Sequence, residues 1–224
     1  MQKYIIIVAG GSGIRMNSSV PKQFIELKGR PVLMHTIEKF YKTFQNIHIV
    51  VVLASQLNDQ WKQLCLKHNF KINHQLVDGG STRFHSVKNG LNSVPENCIV
   101  GVHDAARPLI SEETINRTFA VAEKLGNAIP CIPIAESIRE INDSENKAVD
   151  RSKFVIIQTP QCFQSTLLKE AFLQSYNDSF TDDASVLEAN GEKINLVDGN
   201  KENIKITTSQ DLIIAEALLK GFAS

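Results

Sequence analysis

The sequence predicts an α/β fold in which a mainly parallel sheet carries helices on both faces. Three observations carry that expectation. Segments of strand and helix character alternate along most of the chain. The strand segments are continuous apolar, β-branched runs, as expected where neither face of a strand meets water. The length, 224 residues, suits one α/β core.

Taken in order, Tyr4–Ala9 reads as a buried strand. Pro31–Thr43 follows as a helix with apolar positions at Val32, Leu33, Ile37 and Phe40. Ile47–Ala54 is a second buried strand, Leu57–Asn69 a helix, and His74–Val77 a short strand running into Asp78-Gly79-Gly80. A helix over Arg83–Val94, a strand over Cys98–His103 and a helix over Glu112–Leu125 complete the regular part. This succession is that of a doubly wound, Rossmann-like architecture. No repeat or low-complexity linker interrupts it, so residues 1–224 are expected to form one domain.

One stretch breaks the rhythm. Between Pro133 and Phe154 lie two short β-like segments, Ser137–Ile141 and Lys147–Arg151, joined by the polar turn Asn142-Asp143-Ser144-Glu145-Asn146. The pattern is that of a β-hairpin arm inserted between core strands. An isolated hairpin is marginal in water and needs a surface to pack against. Its own domain and a second subunit are the two candidates.

Composition narrows the function classes. Lys and Arg number 24 against 24 Asp and Glu, with no basic run, so nothing points to nucleic acid or a membrane surface. The apolar start, Tyr4–Val8, is too short for a signal peptide, and no later stretch approaches the roughly 20 apolar residues of a membrane span. Cys65, Cys98, Cys131 and Cys162 lie far apart with no C-x-x-C pair. They read as reduced thiols of a cytoplasmic protein rather than as a zinc site or disulfides.

Chemistry concentrates after the strands. Gly10-Gly11-Ser12-Gly13-Ile14-Arg15-Met16 directly follows the first one. Glycines there allow a sharp turn that brings backbone N–H donors against an anion. A dinucleotide fingerprint is rejected, because Met16 stands at the third glycine position and no acidic residue closes the second strand at Leu53-Ala54. The Gly-Lys-Ser/Thr of a Walker A loop is also missing. Arg15 and Lys22 add two cations just beyond the loop, which suits a triphosphate whose charge shifts during transfer. Either alone reads as a solvated surface side chain; it is their joint position that matters. Val102-His103-Asp104-Ala105-Ala106-Arg107-Pro108 closes another strand. Asp104 there can take a metal or a ribose hydroxyl, and the alanines let a ligand lie close. The competing reading is a buried Asp104–Arg107 ion pair.

With these residues in place, the chain resembles the 2-C-methyl-D-erythritol 4-phosphate cytidylyltransferases of the non-mevalonate isoprenoid pathway, from Ile5 to the C-terminus. The glycine loop ending in Arg15-Met16, Pro21-Lys22-Gln23-Phe24, Gly79-Gly80 with Arg83 and Ser86-Val87, and Val102–Pro108 all match. So do Gln158-Thr159-Pro160-Gln161, Thr181-Asp182-Asp183-Ala184 and Asn203-Ile204-Lys205-Ile206-Thr207. The H-D-A-A-R element is the specific one, since the glycine loop occurs in many sugar nucleotidyltransferases.

The resemblance implies a nucleotide-diphospho-sugar transferase type of Rossmann-like fold and transfer of CMP from CTP to the acceptor phosphate, with Mg²⁺ held mainly by the CTP phosphates. It places Gly10, Gly11, Gly13, Gly80, Ser86, Asp104 and Ala105 at CTP. Arg15 and Lys22 would neutralise the α-phosphate. Arg107, Thr159, Thr181 and Lys205 would face the acceptor. Ser137 and Arg151, on the arm, would reach the partner's site in a homodimer, Arg151 and Lys205 aiming the incoming phosphate. Some positions depart from the family pattern: Gly10 stands where alanine is more usual, Ser81 where an acidic residue often sits, and Ser137 in place of threonine. The alternatives are a ribitol-5-phosphate cytidylyltransferase, disfavoured by Ala105 and Thr181, and a non-catalytic nucleotide-binding protein, disfavoured by keeping Arg15, Lys22 and Lys205 together.

Overall fold

A computed structural model describes residues 1–10 and 20–221. In chain order the elements are β1 (Lys3–Val8), β2 (Glu26–Leu27), β3 (Arg30–Pro31), α1 (Val32–Thr43), β4 (His48–Leu53), α2 (Asn58–Lys67), β5 (Gln75–Asp78), α3 (Arg83–Leu91), β6 (Ile99–Asp104), α4 (Glu112–Leu125) and β7 (Asn127–Pro133). After them come β8 (Arg139–Ile141), β9 (Asn146–Ala148), β10 (Val155–Ile157), β11 (Gln161–Gln164), α5 (Ser165–Ala171), α6 (Asp183–Ala189), β12 (Leu196–Asp198) and α7 (Ser209–Gly221).

The main sheet has eight strands. Its centre is parallel: β1 lies between β6 and β4, and β5 follows β4. β11 enters antiparallel between β6 and β7, while β12 runs parallel along β7. The expected architecture is present, with β10 and β11 opposing the other strands.

The side-chain alternation of β1 shows why both faces carry helices. Ile5 and Ile7 pack into a core cluster with Ile37 and Phe40 of α1, Trp61 of α2 and Phe119 of α4. Ile6 points the other way, toward Phe84 and Val87 of α3 and Leu168 of α5. A strand buried on both faces cannot alternate apolar with polar, and β1, β4 and β6 do not. Each large apolar side chain fully buried this way contributes on the order of 1.5–3 kcal/mol.

Helix ends follow local chemistry. Ser111 caps α4 by accepting the Thr114 N–H at 3.1 Å, and Glu112 and Glu113 sit in the first turn, where the helix dipole favours negative charge. Gly126 ends it at φ 92°, a left-handed conformation glycine adopts without a Cβ penalty.

The arm departs from its expected bounds. β8 and β9 pair antiparallel, Arg139 opposite Ala148 and Ile141 opposite Asn146, so the strands are shorter than the predicted 137–141 and 147–151. Arg151 sits in a short 3-10 turn, Arg151–Lys153. Asp150 is the cause: its Oδ1 accepts both the Ser152 N–H (3.1 Å) and the Ser152 hydroxyl (2.7 Å), turning the chain out of the strand. The arm continues a ladder in which β10 runs antiparallel to β7, with Val155 opposite Pro133. No helix among the described residues is long and apolar enough to cross a membrane.

Candidate active site

Three loops at the carboxyl ends of parallel strands converge on a cavity of about 220 Å³. After β1, Ala9 continues beside β4 through its N–H to Val52 O at 2.8 Å, leaving Gly10 at the cavity wall. After β5, the Gly79 N–H donates to Leu53 O at 2.6 Å, and the Gly80 N–H to Ser86 Oγ at 3.0 Å. The Ser86 hydroxyl in turn donates to Thr82 O at 2.9 Å. After β6, the Ala105 N–H reaches Val8 O at 3.1 Å, and the Thr36 hydroxyl donates to Ala105 O at 2.8 Å. Ligands in open α/β sheets bind in this crevice.

Gly80 is sterically required and Gly10 is not. A Cβ on Gly80 would lie 2.4 Å from Cβ of His85 and 2.8 Å from its carbonyl carbon. Among the described residues, one on Gly10 would meet Ser86 Oγ at 3.6 Å, an ordinary contact.

The charged groups are arranged around Asp104. Its Oδ2 accepts Arg107 Nε and Lys205 Nζ, each at 3.1 Å. Burial works to raise this carboxyl, but Arg83, Lys205 and Arg107 together hold it well below the usual carboxylate range. Lys22, from the short turn Lys22–Phe24, also lines the cavity. Behind it the Gln23 amide donates to Ala9 O at 2.8 Å, tying the lysine turn to the end of β1.

Beneath Asp104 lies a buried histidine. His103 Nε2–H donates to Arg107 O at 3.0 Å, since a carbonyl can only accept. That leaves Nδ1 to accept the Thr159 hydroxyl at 3.0 Å, while Thr159 Oγ1 accepts the Asp104 N–H at 3.2 Å. Burial pushes the ring down to about 4, so it is neutral at pH 7. The network fixes both ends of the H-D-A-A-R turn.

Of the expected site residues, Gly10, Lys22, Gly80, Ser86, Asp104, Ala105 and Lys205 line this one cavity. Gly11, Gly13 and Arg15 lie outside the described residues. Others are placed elsewhere. Arg107, expected at the acceptor, is bound to Asp104 and, through Nη1, to Asn203 O at 2.8 Å; the ion pair named as the competing reading is present. Thr159, also expected at the acceptor, is 6% exposed, and its hydroxyl already serves His103 and Asp104, so it braces the turn from below. Thr181 is exposed just before α6. Ser137 and Arg151 are exposed on the arm, where Arg151 Nη1 donates to Ala135 O.

Arg83 belongs with the site although no role for it follows from the sequence reading. It lines the cavity and grips Asp183 with two parallel bonds, 2.9 and 2.6 Å. Its signal is that of Arg15 and Lys22, a cation shortly after glycines at a strand end. Among the described residues no group of three or more His, Cys, Asp or Glu could hold a metal ion, and Asp104 is the carboxylate lining the cavity.

Comparison with known proteins identifies the chain's relatives. The family model for 2-C-methyl-D-erythritol 4-phosphate cytidylyltransferase matches residues 4–221. The chain is 52% identical to a protein of that name from Azobacteroides pseudotrichonymphae, over 97% of this chain and 99% of the relative. It is 48% identical to one from Bacteroides thetaiotaomicron, over 98% and 100%. Among solved structures, the 4-diphosphocytidyl-2C-methyl-D-erythritol synthase of Anaerococcus prevotii superposes with a TM-score of 0.82 at 30% identity, covering 98% of this chain and 96% of that one.

Proposed function

Because the chain belongs to the 2-C-methyl-D-erythritol 4-phosphate cytidylyltransferase family, and so carries out CTP-dependent cytidylyl transfer onto that acceptor, we propose that the transfer takes place in the cavity between the ends of β1, β5 and β6. The supporting observation is the convergence of Lys22, Arg83, Lys205 and Asp104 on one small-residue wall.

The nucleophile is an oxygen of the acceptor phosphate, already ionised, so no strong general base is needed. It forms a bond to the α-phosphorus of CTP in line with the bond that breaks, and pyrophosphate leaves. The difficulty is bringing one anion to another. Lys22 covers the α-phosphate as its charge grows, in our reading with Arg15, and Lys205 aims the incoming phosphate. The backbone at Gly10, Gly80 and Ala105, with Ser86, accommodates the nucleotide. Asp104 orients Lys205. His103, neutral and bonded at both nitrogens, holds the turn rather than moving a proton.

Mg²⁺ fits this site as an ion carried mainly by the triphosphate, since it keeps several waters and takes one or two carboxylates beside substrate phosphates. Asp104, the carboxylate lining the cavity, would hold it there, and the ion would supply neutralisation of the CTP phosphates when bound.

We further propose that the single domain pairs through its arm into a homodimer with shared sites, Ser137 and Arg151 serving the partner's cavity. The support is a set of exposed apolar side chains, Ile141 (79% exposed) on the arm and Phe154, Val155 and Ile156 in and beside β10. A cytoplasmic location fits the four free cysteines. The test is pyrophosphate release from CTP with 2-C-methyl-D-erythritol 4-phosphate or ribitol 5-phosphate as acceptor. Release with the first and little with the second is expected; equal release with both would remove the acceptor assignment, and none with either would remove the enzyme.

A further inference from the structure

Arg83, which lines the cavity, and Asp183, which does not, join two distant parts of the chain. Arg83 opens α3 on the nucleotide side, next to Gly80 and Ser86. Asp183 opens α6, two residues after Thr181. Nη1 donates to Oδ1 at 2.9 Å and Nη2 to Oδ2 at 2.6 Å, with Asp183 fully buried and the arginine side chain 31% exposed.

The same junction is tied a second time. Gln161 Nε2 donates to Asp182 Oδ2 at 2.7 Å, and the Ala184 N–H donates to Gln161 Oε1 at 2.9 Å. Gln161 lies two residues after Thr159, whose hydroxyl holds the Asp104 N–H. The start of α6 is therefore fixed both to α3 and to the Asp104 turn. Adhesion comes from elsewhere: the Phe84 ring stacks on Phe180, beside Thr181, with centroids 5.7 Å apart, and on Phe172 at 4.6 Å. Apolar packing holds the segment on without fixing its direction. A guanidinium fork on a carboxylate fixes direction as well as distance. A buried ion pair is replaceable by apolar groups as far as stability goes, so stability alone does not explain it.

We infer that the Arg83–Asp183 fork is a positioning device that sets the turn carrying Thr181 against the nucleotide wall, making both residues positioning residues for the acceptor phosphate. This rests on the cytidylyl-transfer reading above, with Thr181 meeting the acceptor phosphate as the family resemblance implies. Burial pushes the Asp183 carboxyl up, and the guanidinium clamped on both its oxygens works against that, so neither partner is dispensable to the other.

Arg83→Lys keeps the positive charge and the Phe84 packing but loses the fork. It is expected to melt within a few degrees of the parent and to raise the acceptor KM about tenfold or more. Asp183→Asn, nearly isosteric and outside the cavity lining, should raise the acceptor KM likewise and leave the CTP KM within about threefold. An unchanged acceptor KM in either variant, or a parallel rise in both KM values in Asp183→Asn, overturns the inference. So does loss of the fold in both variants, which would make the pair structural only. The unaltered protein, assayed alongside with CTP and 2-C-methyl-D-erythritol 4-phosphate, separates these results from a failure of the transfer reading itself.

Discussion

Lys205 Nζ meets Asp104 Oδ2 at 3.1 Å, joining the segment before α7 to the end of β6. The same oxygen holds Arg107, so one carboxylate pins two cations from different parts of the chain. Lysine is a point charge on a flexible stem, and without an anchor its ammonium would sample many positions. Asp104 supplies that anchor, and Arg107, held also by Asn203 O, keeps Asp104 itself in place. The ion pair and the catalytic reading of this turn, which compete on sequence alone, are compatible in three dimensions.

The charges at the wall can be tested singly. Lys22→Ala and Lys205→Ala should each lower kcat/KM by about 10²-fold, the scale seen when a preorganised charge stabiliser is removed. Lys22→Ala should act through kcat. Neither should move the melting temperature much, because Lys205 is 39% exposed and partly exposed pairs add little stability. Near-normal turnover of Lys22→Ala would take that lysine out of the chemistry.

His103 makes stability depend on pH in a defined window. Burial lowers the folded ring to about 4 from its ordinary 6.5. Between those values the unfolded chain binds more protons than the folded one, so stability rises with pH there and is lost as pH falls from about 6.5 to 4. The shift corresponds to about 3 kcal/mol at most. Burial also lowers His35 and His74, which adds to the same slope, so the parent alone is not diagnostic. His103→Gln can keep both hydrogen bonds without a titrating ring. Its stability curve between pH 7 and 4 should be flatter than the parent's; two parallel curves would mean the ring does not titrate in folding.

Much of this was legible in the residues because period and burial coincide. β1, β4 and β6 are apolar through their centres since helices cover both faces, and α4 begins and ends where Ser111 and Gly126 say it should. The cavity glycines and Lys22 follow strand ends, where chain order and spatial order agree. Two of the misses share a cause, which is contact between segments far apart in sequence. Nothing local says that Thr159 turns its hydroxyl inward to His103, or that Arg83 finds its carboxylate at Asp183. The arm's true bounds depended on Asp150 capping a turn, a short-range effect hidden inside a β-like run.

The two wall glycines should behave differently. Gly10→Ala adds a methyl in ordinary contact with Ser86 Oγ and should retain near-parental activity. Gly80→Ala drives its Cβ into the His85 backbone, which cannot yield as a flexible side chain would. A cost of about 1–3 kcal/mol in stability is expected, together with a CTP KM raised by about tenfold or more. Measured melting curves and CTP titrations that cannot tell the two variants apart would contradict the packing of the loop after β5.

The final prediction concerns the arm. Arg151 and Ser137 are exposed in one chain and do not line its cavity, while Ile141 on the arm and Phe154, Val155 and Ile156 in and beside β10 are exposed apolar residues. If the arm of one copy completes the other's site, Arg151 meets the acceptor phosphate there in a charge-assisted contact whose geometry lysine does not reproduce. Arg151→Ala should then raise the acceptor KM and leave CTP binding nearly intact. Mixing inactive Arg151→Ala with inactive Lys22→Ala gives the sharper result. A heterodimer of the two has one site with both lesions and one with neither, so activity should return as subunits exchange. Where each site is built within a single chain, every site keeps one lesion and the mixture stays dead. Persistent inactivity after exchange has been shown with labelled subunits, or full activity of a strictly monomeric species in sedimentation, would end the shared-site proposal and leave the transfer chemistry untouched.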